Sequence, residues 1–185
     1  MPRYFTAKSC AEVGGADLMG RAIRQPMLLV PETESVAITE NWRIVKDGDA
    51  VTRLLYCRHY SSYEYKDGRD PKLFVGPGEK IVLVTANGDA AFAWRKYKDD
   101  YLKDLSVWCS FFRNEGPILS SALIAEAIRV AECKWPSEPL YTMVNPSAIK
   151  SKNPGYCFKF AGFELYGETS KGLHVLRYTR RGSLI

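Results

Sequence analysis

Phe111-Phe112-Arg113-Asn114-Glu115-Gly116-Pro117-Ile118-Leu119-Ser120-Ser121 is the stretch that decides the fold, because an apolar strand runs into it and an amphipathic helix runs out. A strand that turns directly into a helix presents unpaired backbone N–H groups at the positive end of the helix dipole, a geometry suited to a diphosphate. On that reading Phe112 and Asn114 flank the turn, Gly116 lets the backbone approach a ligand closely, Arg113 adds charge, and Ser120 and Ser121 add hydroxyl donors.

Upstream of the turn, residues 105–112 carry Trp108, Cys109, Phe111 and Phe112 and are too apolar for an exposed edge strand. Before them, two β-rich runs at 80–85 and 90–94 face each other across Asn87-Gly88-Asp89, which predicts a hairpin. Val51, Leu54 and Leu55 recur at helical spacing behind Asp47 or Asp49 as N-cap, so a helix is expected to end near His59. Residues 1–46, where Gly14, Gly15 and Gly20 interrupt any helix, read as an arm or extension, and 47–185 as one domain. Downstream, 118–134 is an amphipathic helix with Leu119, Leu123, Ala127 or Ile128, and Ala131 on one face. A strand at 140–144 follows, then a second helix within 147–161, interrupted or restarted at Pro154, and a closing strand at 173–178. That order predicts an α/β (α+β) fold, a mixed, mainly antiparallel central sheet flanked by helices.

The totals agree with one folded domain. In 185 residues, 46% hydrophobic residues supply a sizeable core, and 25% charged with 12% aromatic is unlike the composition of a disordered chain. A net charge of +5 suits a polyanionic partner without requiring one. Lys171, Arg177, Arg180 and Arg181 cluster near the end as a weak hint of a phosphate contact. The five cysteines have no Cys-x-x-Cys spacing, so neither a disulfide framework nor a cysteine zinc site is indicated. No apolar run approaches the ~20 residues a membrane helix needs, and the expected location is the cytoplasm, with no membrane partner.

The strand, Arg113-x-x-Gly116 and helix resemble the pyrophosphate-binding signature of the GNAT N-acyltransferase superfamily, with Ile118 where Gly or Ala is usual. Asn145 after a short strand, followed by Asn153-Pro154-Gly155-Tyr156-Cys157-Phe158 and Gly162-Phe163, resembles the same family's later segment. The resemblance implies acetyl-CoA or a related acyl donor, bound by Phe112, Arg113, Asn114, Gly116, Ser120, Ser121 and Asn145. The family's general-acid tyrosine falls here on Phe158, which leaves Tyr156 as the nearest hydroxyl. More narrowly, His59-Tyr60-Ser61, the Arg113–Ser121 junction and Asn145-Pro146 resemble phage Mom-type proteins, which implies DNA as partner and a carbamoylmethyl group added to adenine.

The residues His59, Tyr60 and Ser61 carry the expected catalysis, because an imidazole titrates near neutrality and neighbouring hydroxyls can share its site. His59 is also where a metal would be centred, although two histidines offer few ligands and a metal is not indicated. Tyr60, Tyr63, Tyr65, Trp94 and Tyr97 lie among Arg58, Lys66, Arg69, Arg95, Lys96 and Lys98, a mixture able to stack on a flipped base and hold its phosphates. Two alternatives stay open, an acetyl-CoA-dependent N-acetyltransferase on a protein or small-molecule amine, and a non-catalytic binding module. A homo-oligomer is also left open.

Overall fold

The computed structural model describes residues 36–69 and 71–180. Most of the expected amino-terminal arm, together with Cys10 and Arg181, lies outside the described residues.

The strands are β1 (Val36–Ala37), β2 (Trp42–Val45), β3 (Glu79–Thr85), β4 (Ala90–Lys98), β5 (Leu105–Asn114), β6 (Leu140–Val144), β7 (Glu164–Glu168) and β8 (His174–Tyr178). They form one sheet in the order β1-β2-β3-β4-β5-β6-β8-β7. Every pairing is antiparallel except β5 with β6. The helices are α1 (Ala50–Cys57), α2 (Ser120–Lys134) and α3 (Tyr156–Phe160), with a 3-10 turn at Pro146–Ala148. The mixed, mainly antiparallel sheet with flanking helices is the expected class.

Three boundaries differ from the sequence reading. Trp42–Val45 pairs with Val82–Thr85, so the sheet begins inside the stretch read as an arm. What holds it is long-range: Glu126 of α2, itself buried, accepts from Thr39 Oγ1 at 2.6 Å and Asn41 N at 3.1 Å, and Trp42 Nε1 donates to Leu123 O at 2.8 Å. The strand β7 was not anticipated because Glu164, Leu165 and Tyr166 are all exposed, which hides the alternation. The second helix shrinks to α3, since Gly155 at φ 76° breaks the chain just before it and a Cβ there would meet Leu176 Cδ1 at 2.9 Å.

Period-two alternation divides the core between the sheet's faces. Ile81, Leu83, Phe92 and Trp94 face α2, joined by Leu123, Ala127 and Ile128. Val82, Ala91, Ala93 and Phe111 face α1, joined by Leu55 and Tyr56. Asp49 is the N-cap of α1, accepting from Val51 N and Thr52 N, while Asp47 is turned to Phe74 N and Lys80 Nζ. Trp94 Nε1 donates to Ala127 O at 2.8 Å and the residue is fully buried, so Trp94 is core and unavailable for stacking on a base.

One irregularity positions the site. Ala93 pairs with Phe111 but Trp94 pairs with Cys109, so Ser110 is an extra residue in β5. Val107 and Cys109 point toward α2 before the bulge, as Phe112 does after it, which sends Phe111 to the α1 face. Arg113 keeps step with Phe111 and reaches the end of α1.

Replacing Glu126 by Ala strands the Asn41 amide and the Thr39 hydroxyl, so a loss of about 2–3 kcal/mol is expected in chemical denaturation, with a smaller loss for Glu126→Gln.

Candidate functional site

The parallel pairing of β5 with β6 covers only Val107–Cys109 against Leu140–Thr142. Beyond it, β5 continues through Asn114 and β6 through Val144 with no pairing between them, so the two strands part. Where the edges part, the side chain of Cys109 is hydrogen-bonded to Thr142 across the last pair. Burial raises the Cys109 thiol to about 12, which keeps it protonated. Among the described residues no cysteine is disulfide-bonded.

Tyr60 projects into this opening from the end of α1. Its ring is half exposed, but its hydroxyl is hydrogen-bonded by the Asn145 backbone and lies near Cys109. Burial of that end, foremost, raises the phenol's pKa. Tyr60, Asn145 and Cys109 therefore meet at the mouth of the cleft. The first two were sequence expectations; Cys109 was noted only as an apolar strand residue.

His59 packs on Phe111, ring centroids 5.2 Å apart, and on Tyr60 at 4.3 Å. Its Nδ1 lies 2.8 Å from Ser61 Oγ and accepts the Ser61 backbone N–H at 3.2 Å. An acceptor at Nδ1 assigns the neutral ring's proton to Nε2. Burial, and then the charge of Arg113, lower the His59 pKa to about 4. The imidazole is therefore neutral at pH 7 and offers an N–H, so the geometry favours a hydrogen-bond donor over the base or metal ligand expected from sequence. Among the described residues no group of three His, Cys, Asp or Glu side chains is arranged to hold a metal ion.

The Arg113–Ser121 turn is more self-contained than its sequence implies. Glu115 N donates to Asp89 O at 2.8 Å, and Gly116 N donates to Asn114 Oδ1 at 2.9 Å. Asn114 Nδ2 reaches Ile118 O at 2.7 Å and Ser120 Oγ at 3.1 Å, so Asn114 staples the turn. Gly116 makes room for Asp89 rather than for a ligand, because a Cβ there would lie 2.4 Å from Asp89 Oδ2. Arg113 Nε donates to Glu115 at 2.5 Å and its Nη1 to Arg58 O at 2.5 Å. What stays available is the next step of chain: the N–H groups of Ile118, Leu119, Ser120 and Ser121 have no hydrogen-bond partner among the described residues. Ile118 packs into the α2 core, so its bulk does not plug this end. Backbone donors able to meet an anion therefore stand at 118–121, whereas carboxylates already stand at Glu115–Gly116.

Two further expectations move. Tyr156 is exposed and its ring contact is Phe160, so it is not brought to the His59–Tyr60 group. Phe158, at the family's acid position, is buried against Phe92, Phe112 and Phe163, and Phe112 is likewise a packing residue. Much of the basic and aromatic set is engaged internally: Arg95 lies over Tyr97 and donates to Pro77 O, and Lys96 pairs with Glu138. In the tail, Arg177 lies over Tyr166.

His59 should titrate near pH 4 by NMR with the Nε2-protonated tautomer above that pH. Because the folded pKa is depressed below the ordinary 6.5, the folding stability it contributes is complete above pH 6.5 and lost as pH falls toward 4. Comparing wild type with His59→Asn over that window should show a shallower pH slope for the variant. A midpoint near 6.5 would contradict the burial.

No family model and no curated protein sequence matches the chain. Among solved structures, ElaA of Escherichia coli is similar at a TM-score of 0.50 and 13% identity, over 74% of this chain and 98% of ElaA. ElaA has the GNAT acetyltransferase fold; at this identity the likeness shows the fold alone and gives no support to the expected Mom-type branch. The parted β5 and β6, the strand-to-helix turn and this likeness together give the chain a GNAT-like fold.

Proposed function

We propose that the protein transfers an acyl-type group from a coenzyme A-like carrier to an amine at the cleft between β5 and β6. The observation that carries this reading is the convergence of Tyr60, Asn145 and Cys109 where those strands part, on the same strand β5 that leads into the N–H groups of Ile118–Ser121. When bound, such a carrier supplies a thioester or related activated group. The Tyr60 hydroxyl, kept protonated by burial, holds at its oxygen the proton a departing thiolate needs. The neutral His59 offers its Nε2–H as a fixed donor to orient the acceptor. Thr142 holds the Cys109 thiol, and the parted β5 edge supplies backbone groups to position a carbonyl.

The acceptor class follows from what the site lacks. An alkylamine such as lysine is protonated at pH 7 and must lose a proton before it attacks. His59, near 4, is a poor base, and Glu115 is held near 2 by its hydrogen bonds to Arg58 and Arg113. An amine already neutral at pH 7, such as the exocyclic amine of a nucleobase, attacks without prior deprotonation, and the proton it sheds on acylation returns to the Tyr60 oxygen that protonated the departing thiolate. Beside His59 stand exposed Tyr60 and Tyr63, with Tyr63 edge-on to Tyr65 at 5.0 Å and Arg69 over Tyr65 at 4.4 Å. Exposed aromatics next to a cation suit stacking on a base, which supports the exocyclic amine of adenine in DNA as the acceptor.

Tyr60→Phe is expected to bind coenzyme A unchanged and to lose roughly 100-fold in turnover, the scale of general acid catalysis. Mass spectrometry of nucleosides from cells expressing the protein should show a modified adenine. An unchanged adenine profile together with acetylation of alkylamines would replace the nucleobase with an ordinary amine acceptor.

A further inference from the structure

Arg58, at the C-cap of α1, and Arg113, near the end of β5, converge on one carboxylate. Arg58 grips Glu115 with two parallel bonds, Nε to Oε1 at 2.9 Å and Nη2 to Oε2 at 2.8 Å, and Arg113 Nε adds a third at 2.5 Å. The side chains of Arg58, Glu115 and Arg113 are 46%, 33% and 30% exposed, so the cluster faces solvent. Exposed ion pairs of this kind add little to stability, and the core does not rest on this one.

A fork of guanidinium groups is the usual protein geometry for gripping phosphate bidentately. Glu115 offers that fork one negative charge and two oxygens, whereas a phosphate ester offers up to two charges and three oxygens. The carboxylate can leave without disturbing the turn, whose backbone is fastened separately by Glu115 N to Asp89 O and Gly116 N to Asn114 Oδ1. The cluster adjoins the other site residues: Arg113 Nη1 donates to Arg58 O, the carbonyl immediately before His59.

We infer that Arg58 and Arg113 form a phosphate seat that Glu115 fills in the absence of ligand and vacates when a phosphate ester arrives. Which molecule brings the phosphate rests on the transferase reading. The seat lies on the α1 face with His59 and Tyr60, as the Ser110 bulge dictates, and not among the core residues beneath α2. That location assigns it to the phosphate of the amine-bearing acceptor rather than to the acyl carrier.

Calorimetric titration with inorganic pyrophosphate tests the seat without any need for acyl transfer, so it stands even where the transferase reading fails. Glu115→Gln should bind roughly ten-fold more tightly and Arg58→Gln roughly ten-fold more weakly, the scale of one charge-assisted contact. Asp100→Asn, which removes an exposed charge at the opposite end of β5, should match wild type. A Glu115→Gln gain no larger than that of Asp100→Asn, or wild-type affinity in Arg58→Gln, overturns the seat. If Arg58→Gln does not fold, Arg58→Lys, which keeps the charge but loses the fork, should weaken binding in the same direction. Repeating the series with deoxyadenosine monophosphate and with coenzyme A separates the two sources. Variant dependence with the nucleotide supports the acceptor assignment, and dependence confined to coenzyme A overturns it.

Discussion

The site depends on one extra residue in β5. Were Ser110 paired in regular register instead of bulged, the alternation would run on through it, and Arg113 would face α2 with Val107 and Cys109 instead of meeting the end of α1. The bulge also falls immediately after the last β5–β6 pair, Cys109 with Thr142. A bulged strand bends and twists more strongly than a regular one, which is a physical reason for β5 to leave β6 at that point. Bulging at this one residue thus accompanies the parting of the strands and keeps Phe111 and Arg113 on the side of His59.

Electrostatics then sort the residues the bulge has gathered. Burial acts in opposite senses on two neighbours: it raises the Tyr60 phenol and lowers the His59 imidazole, and both are thereby kept neutral. Both also present a proton outward, one on oxygen and one on Nε2. A pair of neutral donors is suited to a reaction in which negative charge develops on a leaving group and on a carbonyl oxygen, and poorly suited to stripping a proton from an ammonium. Arg113 contributes to the imidazole shift from the same strand that forms one wall of the cleft.

The fold was legible where a signal was local. The Asp49 cap, the β3–β4 hairpin around Asn87-Gly88, and the β5-to-α2 junction each carry their own chemistry within a few residues. Strands β1 and β2 were hidden because Trp42 is fixed by Leu123 and the preceding turn by Glu126, partners more than eighty positions away. The His59–Tyr60 and Asn145 motifs were legible as residues, but their meeting was not, since it requires the parting of β5 and β6. The placement of Tyr156 apart from that group was hidden for a related reason: sequence measures distance from Gly162 along the chain, while the left-handed Gly155 immediately before α3 resets the chain's direction.

The turn at Arg113–Gly116 shows why a matching motif differs from a matching site. Its sequence has the arginine and glycine of an anion-binding bend, yet the protein answers both with its own carboxylates, Glu115 on the guanidinium and Asp89 against the glycine. An external anion must therefore displace Glu115 or bind one step further along, at the N–H groups of Ile118–Ser121. These two places differ in kind. The helix amides offer partial charge and fixed direction, available at once, whereas the arginines offer full charge only after exchange. A substrate with a single weak anionic group gains from the first alone. Only a densely charged group gains enough from the second to replace Glu115, so the internal carboxylate works as a threshold that separates phosphate esters from ordinary carboxylates.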